Sequence, residues 1–438
     1  MSKSRSISLK EINRLALPAI LSGIAEPLIA LADTAMVGRL GTTPLGAVGL
    51  GSSLFLLTIW VLTQTKTAIS AIVSRHYGAK SLPTIKTLIP QAFLFNIILG
   101  FIILIVMFSF ARDLLSLYSA KGEILNLATD YFKIRCLGLP IVLATYGMFG
   151  VFRGLQNTAW AMQISIVGGV LNLILDYFLI FGIGPFEAMG IKGAAYASLF
   201  AQMIMLVLST IYFLKNTPFN FKLKYKLNSE FKFLIGMSSG FIIRTIALNI
   251  AFFLANRYAT SYGDEHIAAH TIAINIWLFS SYFIDGYANA GNAISGRLFG
   301  EKRFEELYTV GMKLMKISML IGCILGSFYF IFYNYIPMIF DLETGVVHLF
   351  ESIFWILILS QPINAIAFAF DGIFKGLGRS KYLMYTLLIA SFLGFVPVLI
   401  ISDKYQFGLH GIWAAFVVFM VIRGLTLLWK FRKDFAPS

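Results

Sequence analysis

Twelve long apolar stretches dominate this sequence. They lie at about 12–38, 45–73, 88–111, 124–151, 158–182, 191–214, 231–257, 267–295, 310–333, 346–373, 381–401 and 409–430. A helix needs about 20 apolar residues to cross the hydrocarbon core of a bilayer, and each stretch supplies them. Membrane strands would instead show about ten residues of alternating polarity. The sequence therefore predicts an all-α membrane protein with twelve transmembrane helices.

The composition excludes a water-soluble protein of this length. Hydrophobic residues make up 58% and charged residues only 13% of the 438 residues, whereas charged residues are about 25% of an ordinary soluble domain. The net charge of +14 does not indicate nucleic acid, because the basic residues lie in short clusters between the apolar stretches, as in cytoplasmic membrane loops. Cys136 and Cys323 each stand alone in an apolar stretch, so no disulfide framework or cysteine metal site is expected.

The distribution of basic residues predicts the orientation. An even number of spans places both termini on one side, and the connections on that side carry 24 of the 35 basic residues, against eight on the other side and three within spans. Basic residues concentrate in cytoplasmic loops. We therefore predict a multi-pass protein of the cytoplasmic (inner) membrane with both termini in the cytoplasm.

The chain repeats itself at an offset of 222 residues. The segment 75–80 matches 297–302, the segment 152–155 matches 374–377, and Pro140 falls on Pro362. The sequence thus predicts an N-lobe with helices 1–6 and a C-lobe with helices 7–12.

We place the N-lobe at 1–214, a basic cytoplasmic linker at 215–230 and the C-lobe at 231–438. Because each lobe has an even number of spans, the lobes run in the same sense, related by a pseudo-two-fold axis along the membrane normal. This plan favours rocking of one lobe against the other, and no ring of polar residues typical of a static pore is evident.

Several acidic residues lie inside the apolar stretches, where each costs about 2.5–3.5 kcal/mol unless it has a partner or a task. Asp33 lies in the first span, and Asn172 and Asp176 lie four residues apart on one face of the fifth. Two carboxylates and an amide at one depth form either a shared-proton site or a hard-cation site. The alternative is that each side chain only caps a kink or forms a hydrogen bond with a nearby backbone carbonyl. Glu26 is on the same helix face as Asp33, and its role stays open.

Other residues suggest structure and mobility. Arg244 and Asp285 both fall near the middle of the membrane, so we predict that they form a structural ion pair. Pro18 and Pro27 each remove a backbone hydrogen bond from the first span, which makes this helix a candidate hinge.

Polar side chains suggest a substrate cavity, and no motif suggests catalysis. Tyr282, Asn289, Gln361 and Asn364, with Glu26, are candidates to line a cavity for flat or amphiphilic substrates. Residues 236–240 match the nucleophile-elbow pattern of serine hydrolases, but they lie inside a predicted helix and lack the strand that precedes the serine in those enzymes. No glycine-rich phosphate loop precedes a lysine. We therefore expect neither an enzyme nor an ATP-driven pump.

Three segments resemble a known family. Segments 31–38, 171–177 and 193–198 are similar to the first, fifth and sixth helices of multidrug and toxic compound extrusion (MATE) transporters, and the resemblance covers essentially the whole chain. The segments 241–245, 284–290 and 370–374 resemble the DinF-like branch of that family.

The resemblance implies a cation-driven exporter. Asp33, Asn172 and Asp176 match the N-lobe proton or sodium site, and Pro18 matches the proline at which the first helix bends. Ser198 stands where a threonine is usual in the sodium-binding pattern. A serine keeps the hydroxyl ligand, so this position does not distinguish protons from Na⁺ as the coupling ion. Asn292 stands where the branch commonly has a glutamate, and Asn364 stands where another branch has an aspartate. These departures weaken a coupling site in the C-lobe.

The sequence therefore predicts a secondary antiporter that works by rocker-switch alternating access, coupled to protons with Na⁺ as the alternative ion. We expect amphiphilic or cationic small-molecule substrates, contact with membrane lipids, a monomer, and no cofactor, resident metal or nucleic acid. The alternative function is a lipid-linked precursor flippase of the same superfamily. A flippase would want a cationic cavity for a pyrophosphate, whereas the in-span acids outnumber the in-span bases.

Overall fold

The computed structural model describes residues 7–118, 121–184, 187–336 and 344–437, apart from the side chains of residues 25–28, 30 and 31. The predictions for the side chains of Glu26 and Pro27 therefore lie outside the described residues. Within these ranges the chain contains helices and no β-strand, as the apolar stretches predict.

The first part of the chain forms helices up to residue 216. They are α1 (Leu9–Gly38), α2 (Thr42–Leu62), α3 (Gln64–Gly78), α4 (Leu88–Ser109), α5 (Ala111–Ser116), α6 (Gly122–Cys136), α7 (Leu139–Gly154), α8 (Ala159–Phe181) and α9 (Ile191–Asn216). α2 and α3 together make one apolar stretch, and α6 and α7 meet at a bend of 46°.

The second part begins at residue 231. Its helices are α10 (Phe231–Tyr262), α11 (Asp264–Gly300), α12 (Phe304–Ile331), α13 (Thr344–Gly376), α14 (Ser380–Ile389), α15 (Val396–Lys404) and α16 (Gly408–Phe435). A single π-helical turn, Ala390–Phe395, joins α14 to α15.

The described helices account for the predicted membrane spans. By length and composition, ten helical stretches could cross a bilayer, and the bent pair α6–α7 makes an eleventh. α1, a helix of 30 residues, lies at the remaining predicted span but is not counted among these stretches.

Contacts divide the chain into two units, one of residues 21–236 and one of residues 1–20 with 237–438. The division cuts α1 after Ile20. The start of α1 is held within the second unit, because Glu11 accepts a hydrogen bond from Arg297 at 2.8 Å and Asn13 accepts one from Tyr287 at 3.0 Å. The lobe and linker boundaries that we place at residues 214 and 231 stay a prediction.

Glycines allow helices within the first unit to approach closely. A Cβ atom at Gly150 of α7 would lie 2.6 Å from the carbonyl oxygen of Lys66 on α3, and one at Gly154 would lie 3.0 Å from that of Ser70. A Cβ atom at Gly100 of α4 would lie 2.6 Å from Pro140 Cα. Small residues at such contacts are typical of helices packed in membranes.

The same contacts recur within the second unit at an offset of 222. Gly372 of α13 faces the carbonyl oxygen of Ala288 on α11, and Gly376 faces that of Asn292. Gly322 of α12 faces Pro362 of α13. The sequence repeat is therefore present as repeated helix packing, down to the same backbone atoms.

We predict that Gly150→Ala destabilises the protein by about 1–3 kcal/mol, the usual cost of overpacking, because the added methyl group meets backbone that cannot rotate away. Thermal unfolding of the purified protein in detergent measures the change. Gly49→Ala is the matched control, since nothing lies within 4 Å of a Cβ atom at this position of α2. Equal unfolding temperatures for the two variants would contradict the packing argument.

Candidate functional site

One face of α8 is built to receive polar groups in an otherwise apolar unit. Ser165, Gly169, Asn172 and Asp176 follow one another at spacings of three or four residues, so they share a face, and three of them are buried polar residues. A Cβ atom at Gly169 would collide with Ile29 of α1. The glycine thus lets α1 lie close to α8, one helical turn before Asp33.

The close approach brings two acidic side chains together. The carboxyl groups of Asp33 and Asp176 are in hydrogen-bonding contact. Asn172 Nδ2 donates a hydrogen bond of 2.8 Å to Asp176 Oδ2. Oδ1 of each aspartate is buried and has no donor among the described residues. Because a carboxylate has no proton to donate, one shared proton or one cation would satisfy both oxygen atoms.

Arg135 and Tyr131 of α6 complete the electrostatic surroundings of the acid pair. The Arg135 guanidinium interacts electrostatically with both Asp33 and Asp176. Tyr131 is buried, and its hydroxyl lies 3.0 Å from that of Ser52 on α2. The acid pair is therefore balanced in part by a cation on another helix.

A cavity of about 310 Å³ opens beside these groups. Its lining comes entirely from residues of the unit 21–236: Ile29, Asp33, Phe55, Leu56, Ile59, Trp60, Thr63, Lys66, Arg135, Val142, Thr145, Tyr146, Ser165, Gly168, Gly169, Asn172, Ser198, Ala201, Gln202 and Met205. The volume is at the lower end of the range for small-molecule sites. The hydroxyl oxygen of Ser198 is buried in this wall and has no hydrogen-bond partner among the described residues.

Two bases lie in the cavity wall, each against an aromatic ring. Lys66 Nζ is 4.5 Å from the ring centroid of Tyr146, and Arg135 Cζ is 4.3 Å from that of Phe55. Both distances fall within the range of cation–π contacts. Arg135 falls inside the predicted apolar stretch 124–151, and the structure places it on α6 just before the bend into α7, facing the cavity.

The structure brings together the residues that we predict to form the ion site. Asp33, Asn172 and Ser198 line one cavity, and Asp176 lies directly behind Asn172 and Asp33. Their role in ion binding stays a prediction.

The predicted substrate-cavity residues lie elsewhere. Tyr282, Asn289, Gln361 and Asn364 all belong to the second unit, and none of them lines this cavity. Gln361 and Asn364 are both buried, and the part that these four residues play in a substrate cavity stays a prediction. Gln361 Nε2 donates to the carbonyl oxygen of Leu357, and Asn364 Nδ2 donates to Ser360 Oγ at 3.2 Å, one turn back along the same helix.

The predicted ion pair between Arg244 and Asp285 is corrected. Arg244 binds Asp371 of α13 at 2.5 Å, and Asp371 further contacts Lys375 at 2.7 Å and Arg423 at 3.5 Å. Asp285 interacts with this cluster only electrostatically. The prediction uses only position along each helix, and this position does not say which neighbouring helix presents the partner.

A local signal for the cluster exists in the sequence. Asp371 and Lys375 are an acid and a base four residues apart, which places them on one helix face. With three bases around it, Asp371 is satisfied as a carboxylate and offers no oxygen for a mobile cation. The acid pair of the first unit has no such excess of bases.

We predict that Asp371→Asn destabilises the protein by about 3–5 kcal/mol, because it leaves two buried arginines and a half-buried lysine without their common partner. Denaturant unfolding in detergent micelles measures this. Asp285→Asn is the comparison variant and should cost less than half as much. If Asp285→Asn were the more damaging change, Asp285 would be the principal partner of these bases and our assignment would be wrong.

Known proteins are similar to this chain over nearly its whole length. The family model MatE matches residues 18–178 and again 241–400. DNA damage-inducible protein F of Escherichia coli is 25% identical over 96% of this chain and 92% of its own. A probable multidrug resistance protein NorM of Thermotoga maritima is 26% identical, over 96% and 91%.

Solved structures agree on the fold. A crystal structure of a MATE in the bent conformation has a TM-score of 0.90 at 24% identity, over 98% of this chain and 95% of that one. The two matches of the family model cover most of the chain and fall on its two repeats. The chain therefore belongs to the MatE family, the multidrug and toxic compound extrusion transporters, and is a multi-span membrane transporter rather than an enzyme.

Proposed function

We propose that this protein exports amphiphilic small molecules, cationic ones among them, in exchange for protons that bind the Asp33–Asp176 pair. The observation that carries the proposal is the contact between these two carboxyl groups at the wall of the cavity. Two carboxylates in contact repel each other when both are ionised, and one proton between them removes the repulsion.

Protons and substrates would compete at this site. With both carboxylates ionised, the wall of the cavity attracts the positive group of a substrate. A proton from outside neutralises part of that charge and weakens the attraction, so the substrate leaves outward. The proton leaves when the site opens to the cytoplasm. Arg135 supports this cycle as the fixed counter-charge for both acids.

The conformational step would use α1. Its first residues pack with the second unit and Asp33 lies in the first. Pro18 lies between them, where a helix bends most easily. We place both termini in the cytoplasm of a cytoplasmic membrane, and we propose a monomer that works by rocker-switch alternating access.

The size of the cavity argues against the flippase alternative. About 310 Å³ is suited to a drug-sized molecule and is small for a lipid-linked pyrophosphate.

We predict that Asp33→Asn and Asp176→Asn each reduce proton-driven export at least about tenfold, because a permanently neutral amide removes one of the two groups that share the proton. The measurement is dye efflux from proteoliposomes under a pH gradient. Asp113→Asn, a change of an exposed acid on α5, is the matched control and should retain wild-type export. Unimpaired export by Asp33→Asn would remove the acid pair from the mechanism.

We predict that a pH gradient drives export and that a Na⁺ gradient at equal pH does not. The test imposes each gradient separately on proteoliposomes with the membrane potential clamped. The variant Ser198→Ala distinguishes the two ions further. Loss of the Ser198 hydroxyl should change proton-driven export by less than about twofold, whereas it would impair export driven by a sodium site that uses this hydroxyl as a ligand. Export driven by Na⁺ alone would reverse our choice of ion.

A further inference from the structure

An irregular segment near the end of the first unit alternates basic and apolar side chains. It belongs to the basic linker, residues 215–230, which forms no helix between α9 and α10. Lysines stand at 222, 224 and 226, and beside them stand Phe221, Leu223, Tyr225 and Leu227. All residues from 221 to 227 are exposed, Leu227 by 64% and Tyr225 fully. A contiguous exposed apolar patch marks a surface that binds a partner or a membrane.

The backbone of this segment is fixed to the start of α4. Gln91 is buried, and its Nε2 atom donates hydrogen bonds to the carbonyl oxygen atoms of Lys224 at 3.0 Å and Lys226 at 2.9 Å. Its Oε1 atom accepts a hydrogen bond of 3.0 Å from the backbone amide of Asn228. Because the backbone is bonded to α4, the side chains of the segment are held in the open and cannot fold back onto the protein.

Aromatic contacts place the segment at the level where helices leave the membrane. The buried ring of Phe219 stacks 6.5 Å from that of Phe213 in the last turn of α9. The ring of Phe221 lies 4.9 Å from that of Phe213 and 5.6 Å from that of Phe93 near the start of α4. α9 and the stretch that contains α4 are both long and apolar enough to cross a bilayer. The segment therefore lies beside the ends of two spans, where lipid head groups are.

The charge around the segment is almost entirely positive. In residues 79–90 and 215–232 the sequence has one acidic residue, Glu230, and it forms an ion pair of 2.6 Å with Arg75. The exposed lysines of the same ranges are Lys80, Lys86, Lys215, Lys222, Lys224, Lys226 and Lys232. Clusters of about four to eight bases directly beside a transmembrane helix attract anionic lipids. Tyrosine side chains also concentrate at the interface between lipid and water.

We propose that the segment 221–227 docks on the membrane and binds anionic phospholipids. Lys222, Lys224 and Lys226 contact the head-group phosphates, while the apolar side chains between them enter the boundary between head groups and acyl chains. The long stem of a lysine lets its ammonium group reach the phosphates from either side of the segment. A soluble anion would satisfy only the lysines, whereas an anionic lipid surface satisfies both kinds of side chain.

This inference goes beyond the proposed function, because it involves neither the acid pair nor the cavity. It uses the proposed orientation only in placing the segment at the cytoplasmic leaflet. It also goes beyond the concentration of basic residues in cytoplasmic loops. That rule requires basic residues in this connection, but it requires neither a fixed backbone nor exposed apolar side chains between the lysines.

A thiol at position 225 reports whether the segment is docked. Tyr225→Cys is made in a Cys323→Ser background, because Cys323 is exposed and Cys136 is buried. The full-length protein is placed in nanodiscs of phosphatidylcholine, either alone or mixed with phosphatidylglycerol, and its rate of reaction with an uncharged, water-soluble maleimide is measured. The rate should fall at least about tenfold with phosphatidylglycerol, since each lysine near an anionic surface contributes about fivefold to binding.

A second tyrosine supplies the matched reporter. Tyr405 is 66% exposed and lies directly after α15, in a connection that we predict on the outer side. The thiol introduced by Tyr405→Cys, in the same background, experiences the charge of the membrane but belongs to no basic segment. Its change in rate between the two membranes therefore measures the effect of surface charge on the thiol alone.

Substitutions assign the protection to the lysines. Lys222→Gln, Lys224→Gln and Lys226→Gln, combined, should bring the rate in phosphatidylglycerol to within about twofold of the rate in phosphatidylcholine. High salt should have the same effect on the unsubstituted segment, because it screens exposed charges.

The control variant removes the same number of charges elsewhere. Arg39→Gln, Lys121→Gln and Lys404→Gln, combined, change exposed bases of other connections and should leave the protection at position 225 unchanged. Loss of protection in this variant as well would assign the effect to net charge and not to the segment.

The other outcomes also decide the proposal. Equal rates in the two membranes would overturn it and leave the three lysines as determinants of orientation alone. Slow reaction in both membranes would show insertion without anionic lipid and would overturn the assigned lipid class. Protection that survives the three glutamine substitutions of the segment would do the same. The measurement involves no transport, so its result is independent of whether protons drive export.

Discussion

A charge that is buried among apolar helices must be neutralised by its neighbours, and this constraint shapes both units of the protein. In the second unit, Asp371 is surrounded by Arg244, Lys375 and Arg423, and both of its carboxylate oxygen atoms already form ion pairs. In the first unit, Asp33 and Asp176 contact each other and share the influence of one arginine. The first arrangement is complete as it stands. The second leaves a buried oxygen atom on each aspartate without a donor among the described residues, which is why we propose the coupling there.

The repeat explains how two units with one packing plan carry such different chemistry. The glycine contacts at positions 150 and 154 recur at 372 and 376 against equivalent backbone atoms, because a close helix contact tolerates almost no side chain. At the same offset of 222, however, Asp33 corresponds to Ala255, Asp176 to Val398 and Lys66 to Ala288. Packing is therefore retained in both copies, while the polar groups of the cavity are particular to the first.

The sequence predicts the features that depend on one helix at a time. Hydropathy is a property of each stretch, so the twelve spans could be predicted, and the spacing of Asn172 and Asp176 places both on one face of α8. Contacts between helices are harder to predict from the sequence, because they depend on how the helices pack. Arg244 was assigned to Asp285 because both lie at the same depth, although Asp371 is the carboxylate that reaches it. The stretch 124–151 predicts a helix at Arg135, but the bend between α6 and α7 that follows this residue is not shown by the sequence.

The division of α1 between two sets of contacts has a mechanical consequence. Glu11 and Asp33 are 22 positions apart in one helix, which corresponds to a rod of about 33 Å. Glu11 is tethered to Arg297, and Asp33 is tethered to Asp176. Pro18 lies between the two tethered residues, so a bend at this proline would change the direction of one end of α1 without breaking either contact.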